Sequence, residues 1–260
     1  MRKRKNQPSL EFDPTTNFAT FGEDLERITV KGGVLITFEG GEGVGKSTQS
    51  NRLFLKLQSF GIDVVTAQEP GSSALGNHIR QWVKRNSSTS PLAETLLFEA
   101  ARAQLLFEVV RPALRAGRVV ILDRFVDSTI AYQGYGRGLD IDQIKSLNDV
   151  TTGGLVPDLT ILLDLDPKAS LKRIAIEPSF FDDTGSDPRR MDNEQELRFE
   201  KEAPEFHNKV RAGFLEMSKQ EPRWSKINAD QAGHRIADAI LKRVRRLLMD
   251  KKIPDSVFKG

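Results

Sequence analysis

The 260 residues contain no cysteine. That excludes disulfides, thiolate metal sites and a cysteine nucleophile, and it fits a reducing compartment, so a cytoplasmic protein is expected. Long apolar runs are missing too. The best candidates, VVIL and LTILLDL, are strand-sized, far short of the roughly 18–20 residues that a membrane helix requires. No membrane association is expected. The start, MRKRKNQPSLEFDP, is basic with no apolar segment behind it, and does not read as a secretory signal. There is also little net charge. The formal +3 rests on Arg2, Lys3, Arg4 and Lys5; without these four, 35 basic residues face 36 acidic ones, a net of −1. A near-neutral body has no electrostatic footprint for nucleic acid, and no stable nucleic-acid partner is expected. The RKRK cluster reads as a solvated tail.

What is present is a soluble composition, 38% hydrophobic and 29% charged, arranged in two regimes. Residues 1–30 have mixed polarity and no sustained period, and read as a flexible basic extension with a short helix near Phe21–Ile28. From Gly33 onward, short continuous apolar runs alternate with helical patterns. VLITFEG, DVVTAQEPG, VVILDR, TILLDLD and WSKINAD are the strands. Between and after them lie KSTQSNRLFLKLQSFG, LGNHIRQWVKR, PLAETLLFEAARAQLLFEVVRPALRAG, LDIDQIKSLNDVTTGG, PKASLKRIAIE and HRIADAILKRVRRLLMD, the helices. Alternation of this kind predicts an α/β fold with a parallel sheet covered by helices on both faces. Residues 176–200 break the pattern with a polar segment of both charge signs, read as a lid on a single domain spanning 31–260.

Gly40, four residues, then Gly45-Lys46-Ser47 form a phosphate-binding P-loop between a strand and a helix. Glycine lets the backbone curl so that N–H groups point at phosphate oxygens. The helix begun by Lys46 adds its unsatisfied N–H groups and positive dipole end. Lys46 places a charge between the outer phosphates and Ser47 offers a hydroxyl to Mg²⁺. Gly40, Gly41, Glu42, Gly43, Val44, Gly45, Lys46, Ser47 and Thr48 are therefore the expected ATP-binding stretch. Gly41, Gly43 and Gly45 do not have the dinucleotide-binding G-x-G-x-x-G spacing.

No N-K-x-D stretch occurs, so a GTPase of the Ras type is not indicated. Instead, groups suited to a second anionic substrate follow the strands. Glu69, Pro70 and Gly71 end one strand, with Arg80 on the helix beyond. Phe98 and Arg102 stand at i and i+4 on one helical face, a pair able to stack on a base and bond its edge, although spacing alone favours a core phenylalanine and a surface arginine. Asp123 ends a buried strand, where a carboxylate can hold Mg²⁺ directly or through water, and Arg124 follows at the carboxyl edge where ligands bind in such sheets. By spacing alone, that pair is as readily a structural ion pair.

GGEGVGKSTQ, EPGSSALGNHIR, LLFEAARAQ, LDRFVDSTIAYQGYGRGLD, GGLVPDLTILLDLDP and FHNKVRAGFLEM together resemble bacterial thymidylate kinase, in order, over roughly residues 33–245. The resemblance implies a nucleoside monophosphate kinase fold, ATP and Mg²⁺ with dTMP as acceptor, and a homodimer. It implies that Phe98 stacks on thymine while Arg102, Thr129 and Gln133 contact the base. Arg80 and Arg124 would clamp the acceptor monophosphate, Tyr132 would sit near the sugar, and Glu42 near the sugar and phosphate. Glu69, Pro70 and Ser128 fall in the same acceptor motifs, and Asp123 with Ser47 would organise Mg²⁺. The P-loop insert Gly41-Glu42-Gly43-Val44 lacks an arginine, so the chain resembles the class whose catalytic arginine is in the lid. Arg189 or Arg190 is the expected residue, with Arg198 also present. The lid departs from the family pattern: Leu197 stands where an aspartate often precedes the arginine. Two rivals to dTMP kinase activity are a kinase for another small acceptor (dUMP, dCMP or a deoxynucleoside) and a non-catalytic nucleotide-binding protein.

Overall fold

The five apolar runs do pair into one sheet. The computed structural model describes residues 27–86, 88–176, 199 and 201–259. The strands are β1 (Val34–Glu39), β2 (Val64–Gln68), β3 (Val119–Asp123), β4 (Leu159–Asp164) and β5 (Trp224–Asn228), in the order β2-β3-β1-β4-β5, every neighbouring pair parallel. All six residues of β1 are buried, as expected for a central strand with both faces covered. Successive side chains point to opposite faces. Val34, Ile36 and Phe38 join a core with α1 (Lys46–Ser59) and α9 (Gly233–Asp250), through Leu53, Leu57, Ile240 and Val244. Leu35 faces the other way, toward Val120, Leu122 and Phe125.

On that second side lie α2 (Ala74–Arg85), α3 (Pro91–Leu105), α4 (Arg111–Arg115), α5 (Val126–Thr129) and α6 (Ile141–Thr152), while α7 (Pro167–Ile176) and α8 (Pro204–Met217) lie between β4 and β5 in the chain. The long helix expected over residues 91–117 is interrupted by a π-turn, Leu106–Val110, before α4 resumes. Pro112 supplies the reason, since it lacks an N–H and its ring would collide with the carbonyl four residues back in a regular helix. A second π-segment, Ile130–Gly136, continues α5. This stretch is not among the helices expected from the sequence. Gly136 is there for close packing: a Cβ on it would stand 2.6 Å from the Phe206 ring of α8.

The sequence-based extension ends before residue 31. Ile28 bridges to Ile62 in parallel rather than lying in a helix, Val30 is 1% exposed in the core, and Arg27 pairs with Asp63 at 3.3 Å. The rest of the expected short helix, residues 21–26, lies outside the described residues. Among the described residues, no helix is long and apolar enough to cross a membrane.

Candidate active site

The register of the sheet sets β1 and β3 side by side, with Phe38 opposite Asp123, so the loops leaving both strands open at one edge. The loop after β1 is the P-loop. Gly45, its last residue before α1, has a φ of 94° and no side chain caps the helix. A left-handed residue at this point favours glycine, and the uncapped first turn leaves N–H groups available to an anion. Gly43 is needed for the expected backbone curl and for a second reason. Its φ is 68°, and a Cβ would meet the Ser170 carbonyl at 2.5 Å, so it is α7 packing behind the loop that leaves no room. The Val44 side chain is likewise buried in the core behind the loop. Lys46 folds back on the loop, its Nζ donating to the carbonyls of Gly40 (3.1 Å) and Gly41 (2.6 Å). Ser47 Oγ donates to Asp123 Oδ2 at 2.5 Å.

Asp123 and Arg124 are not each other's hydrogen-bond partners. Arg124 turns back over the P-loop because its backbone is left-handed, at φ 72°, a conformation costing about 1–3 kcal/mol in a non-glycine residue. Its Nη1 donates to the Gly40 carbonyl and to Ser128 Oγ, both at 3.1 Å. Its Nη2 donates to Glu42 Oε1 (2.7 Å) and to the Tyr132 hydroxyl (3.0 Å), while that hydroxyl itself donates to Glu42 Oε1 (2.7 Å). Glu42, Arg124, Ser128 and Tyr132 are thus one cluster. Burial alone would raise the Glu42 carboxyl; Arg124 and then Lys46 overcome this and hold it at about 2. Lys46 is also lowered, to about 8, because burial and the like charge of Arg124 outweigh its acidic neighbours.

A second cluster forms around Arg102, which is 2% exposed and so is not a surface arginine. Its Nε donates to Glu69 Oε2 (2.8 Å), Nη1 to Glu99 Oε1 (2.6 Å) and Asn148 Oδ1 (2.7 Å), and Nη2 to Thr129 Oγ1 (2.7 Å). Of the five donors a guanidinium carries, these bonds engage four among the described residues. Glu69 Oε1 is buried without a hydrogen-bond partner among the described residues, and burial, partly offset by Arg102, pushes this carboxyl up to about 7. Arg80 Nη1 donates to the carbonyl of Pro70 at 3.2 Å, which ties α2 to the loop after β2. Gln133, 1% exposed, donates to Glu94 Oε1 at 2.9 Å. Phe98 is only partly buried, packed with Ile79, Val83 and Ala101. Arg189, Arg190 and Arg198 lie outside the described residues.

Four contributors were not singled out from the sequence. Phe199 stands between two expected site aromatics, with ring centroids 6.4 Å from Phe98 and 5.8 Å from Tyr132. It follows Arg198 in a polar segment, and nothing in its spacing marks it. Glu99 stands three residues before Arg102 on α3, a helical spacing that could have marked the pair, whereas Asn148 comes from α6 and only the fold brings it to Arg102. Glu39 could have been found, because a carboxylate closing an all-apolar strand is a standing anomaly.

A family model described as thymidylate kinase matches residues 38–240. Curated relatives include the thymidylate kinase of Dehalococcoides mccartyi strain CBDB1, 45% identical over 218 residues, covering 83% of this chain and 97% of that protein. The thymidylate kinase of Chlorobium luteolum is 44% identical over 211 residues, covering 80% of this chain and 95% of that one. Among solved structures, the crystal structure of thymidylate kinase from Ehrlichia chaffeensis aligns with a TM-score of 0.62 at 30% identity, covering 82% of this chain and 98% of that chain. A five-stranded parallel sheet with a P-loop, an acceptor-side arginine cluster and these relatives lead to one assignment: the chain belongs to the thymidylate kinase family.

Proposed function

We propose that the protein transfers the γ-phosphoryl group of ATP to dTMP, giving dTDP. The observation that carries this reading is a pair of cations on one carbonyl. Lys46 Nζ and Arg124 Nη1 both donate to Gly40 O at 3.1 Å, although like charges so close repel. Anionic substrates on both sides offset that repulsion: the triphosphate on Lys46 and the loop amides, the acceptor monophosphate on Arg124 and Arg80.

Phosphoryl transfer asks for positioning and charge neutralisation. Lys46 and the uncapped N–H groups of α1 hold the donor phosphates. Arg124, kept in place by Glu42, Ser128 and Tyr132, presents a fork suited to phosphate oxygens. Phe98 offers its ring to the base, and Arg102, Thr129 and Gln133 offer polar atoms to its edge. No general base is required, because a phosphate monoester is largely dianionic near pH 7, its second pKa lying at about 6. Ser47 and Asp123 fit Mg²⁺: two hard oxygens converge beside the P-loop, and this ion typically takes one or two protein ligands with substrate phosphates and water. Ser47 and Asp123 would hold the ion, whose positive charge would offset the negative charge of the phosphates. We assign the remaining cation to the lid, as Arg189 or Arg190.

We place the reaction in the cytoplasm and the protein in a homodimer. Exposed apolar side chains on α2, the π-turn and α6 (Trp82 47%, Phe107 74%, Val150 82%) support a second copy as their cover. Sedimentation of the purified protein tests the dimer. For the activity, ADP release with dTMP as acceptor is the test: turnover supports the reading, and none in the presence of ATP and Mg²⁺ overturns it.

A further inference from the structure

The strained turn at Arg124 leads to a residue with no role above. Glu39 ends β1 with 0% exposure, on the same face as Leu35 and Thr37 by the strand's alternation. Its Oε1 accepts the Phe125 backbone N–H at 2.8 Å and its Oε2 accepts the Ser128 hydroxyl at 2.6 Å. Ser128 Oγ is in turn an acceptor for Arg124 Nη1. One carboxyl therefore grips the backbone immediately after Arg124 and the hydroxyl beneath its guanidinium.

Burying such a group is costly. Burial and the neighbouring Asp127 push Glu39 up to about 8, against the opposing pull of Ser128, Arg124 and the Phe125 N–H. Asp127 is satisfied elsewhere, by a two-pronged pairing with Arg223 at 2.7 and 2.8 Å. An apolar side chain would fill the same volume without the penalty, so what the carboxyl contributes is its pair of bonds. Neither reaches a substrate directly. Both end on the segment that carries Arg124.

We propose that Glu39 is a positioning residue for the acceptor phosphate: through Phe125 N–H and Ser128 it sets the Arg124 guanidinium at the P-loop. This rests on the dTMP kinase reading. Its test is steady-state kinetics, with KM measured separately for dTMP and ATP, on the full chain and three variants. Glu39→Gln can make both bonds. Glu39→Met fills the space and can make neither. Glu39→Asp keeps the carboxyl but falls short by a methylene. Expected are kcat/KM for dTMP within about threefold of the parent for Gln, at least about tenfold lower for Met and at least about fivefold lower for Asp, with KM for ATP within about twofold throughout. A structural role alone would not separate the two substrates. If Met does not fold, Asp carries the same expectation. Folded Met or Asp variants that match the parent toward dTMP, or that lose dTMP and ATP affinity alike, overturn the inference while leaving the kinase reading intact. A parent with no activity toward dTMP overturns both.

Discussion

Replacing Arg124 with alanine removes a guanidinium whose four Nη donors are all engaged, by Gly40 O, Ser128, Glu42 and Tyr132. To hold a phosphate, the fork must exchange some of these bonds for charge-assisted ones. Two bonds to a dianion are worth about 1.5–3 kcal/mol each, and the neutral bonds given up to Gly40 O and Ser128 about 0.5–1.5 kcal/mol each. Taking central values, about 4.5 gained against about 2 given up, the net is about 2.5 kcal/mol, or roughly a 70-fold loss in kcat/KM for dTMP. KM for ATP should change far less, because Lys46 and the loop amides remain. Arg124→Lys keeps a charge without the fork and should fall between parent and alanine. The assay is initial-rate ADP release with each substrate varied in turn. A folded Arg124→Ala variant within about threefold of the parent toward dTMP would refute the assignment of this residue to the acceptor.

Other outcomes follow from the same contacts. Lys46→Ala should keep the fold yet lower turnover by about two orders of magnitude or more, which circular dichroism and kinetics together would check. Arg102→Ala leaves Glu69 and Glu99 buried without their cation, so its melting temperature should fall by an amount equivalent to about 3–5 kcal/mol; an unchanged melt would contradict the buried network. Glu39 has its folded pKa raised to about 8 from 4.5, so its contribution to stability is present below 4.5 and is lost as pH rises through 8. Stability of Glu39→Gln relative to the parent should therefore rise between pH 5 and 8, and a flat difference in urea unfolding across that range would count against it. Glu42, depressed to about 2, has the opposite sign. It stabilises above 4.5 and its contribution is lost as pH falls toward 2, so Glu42→Gln should narrow its deficit in acid.

Much of the fold was legible because it rests on local pattern. Five apolar runs, each bounded by glycine or a polar turn, gave five strands, and the P-loop glycines gave the first strand–helix junction its phosphate-binding form. The π-segments were not legible. At residues 130–136, glycines that signal a loop locally are there for close packing, Gly134 against α6 and Gly136 against α8, which local pattern does not show. In the candidate site, residues within one motif read well: Glu42, Lys46, Ser47, Asp123 and Arg124 all converge at one sheet edge. Roles that depend on partners from distant segments read poorly. Arg102 looked like a ligand-facing or surface arginine, but Glu69, Glu99, Asn148 and Thr129 take four of its donors, and these lie on four different parts of the chain. Glu39 was passed over because pattern reading counts β1 as apolar and stops at the first glycine.

The central claim is that the space facing the P-loop accepts a thymidine monophosphate. It is tested most directly by phosphorylation rates with ATP across dTMP, dUMP, dCMP and thymidine. The account predicts the highest kcat/KM for dTMP, with thymidine, which offers no phosphate to Arg124 and Arg80, the poorest. Equal rates for all four, or turnover of another acceptor but not dTMP, would contradict it.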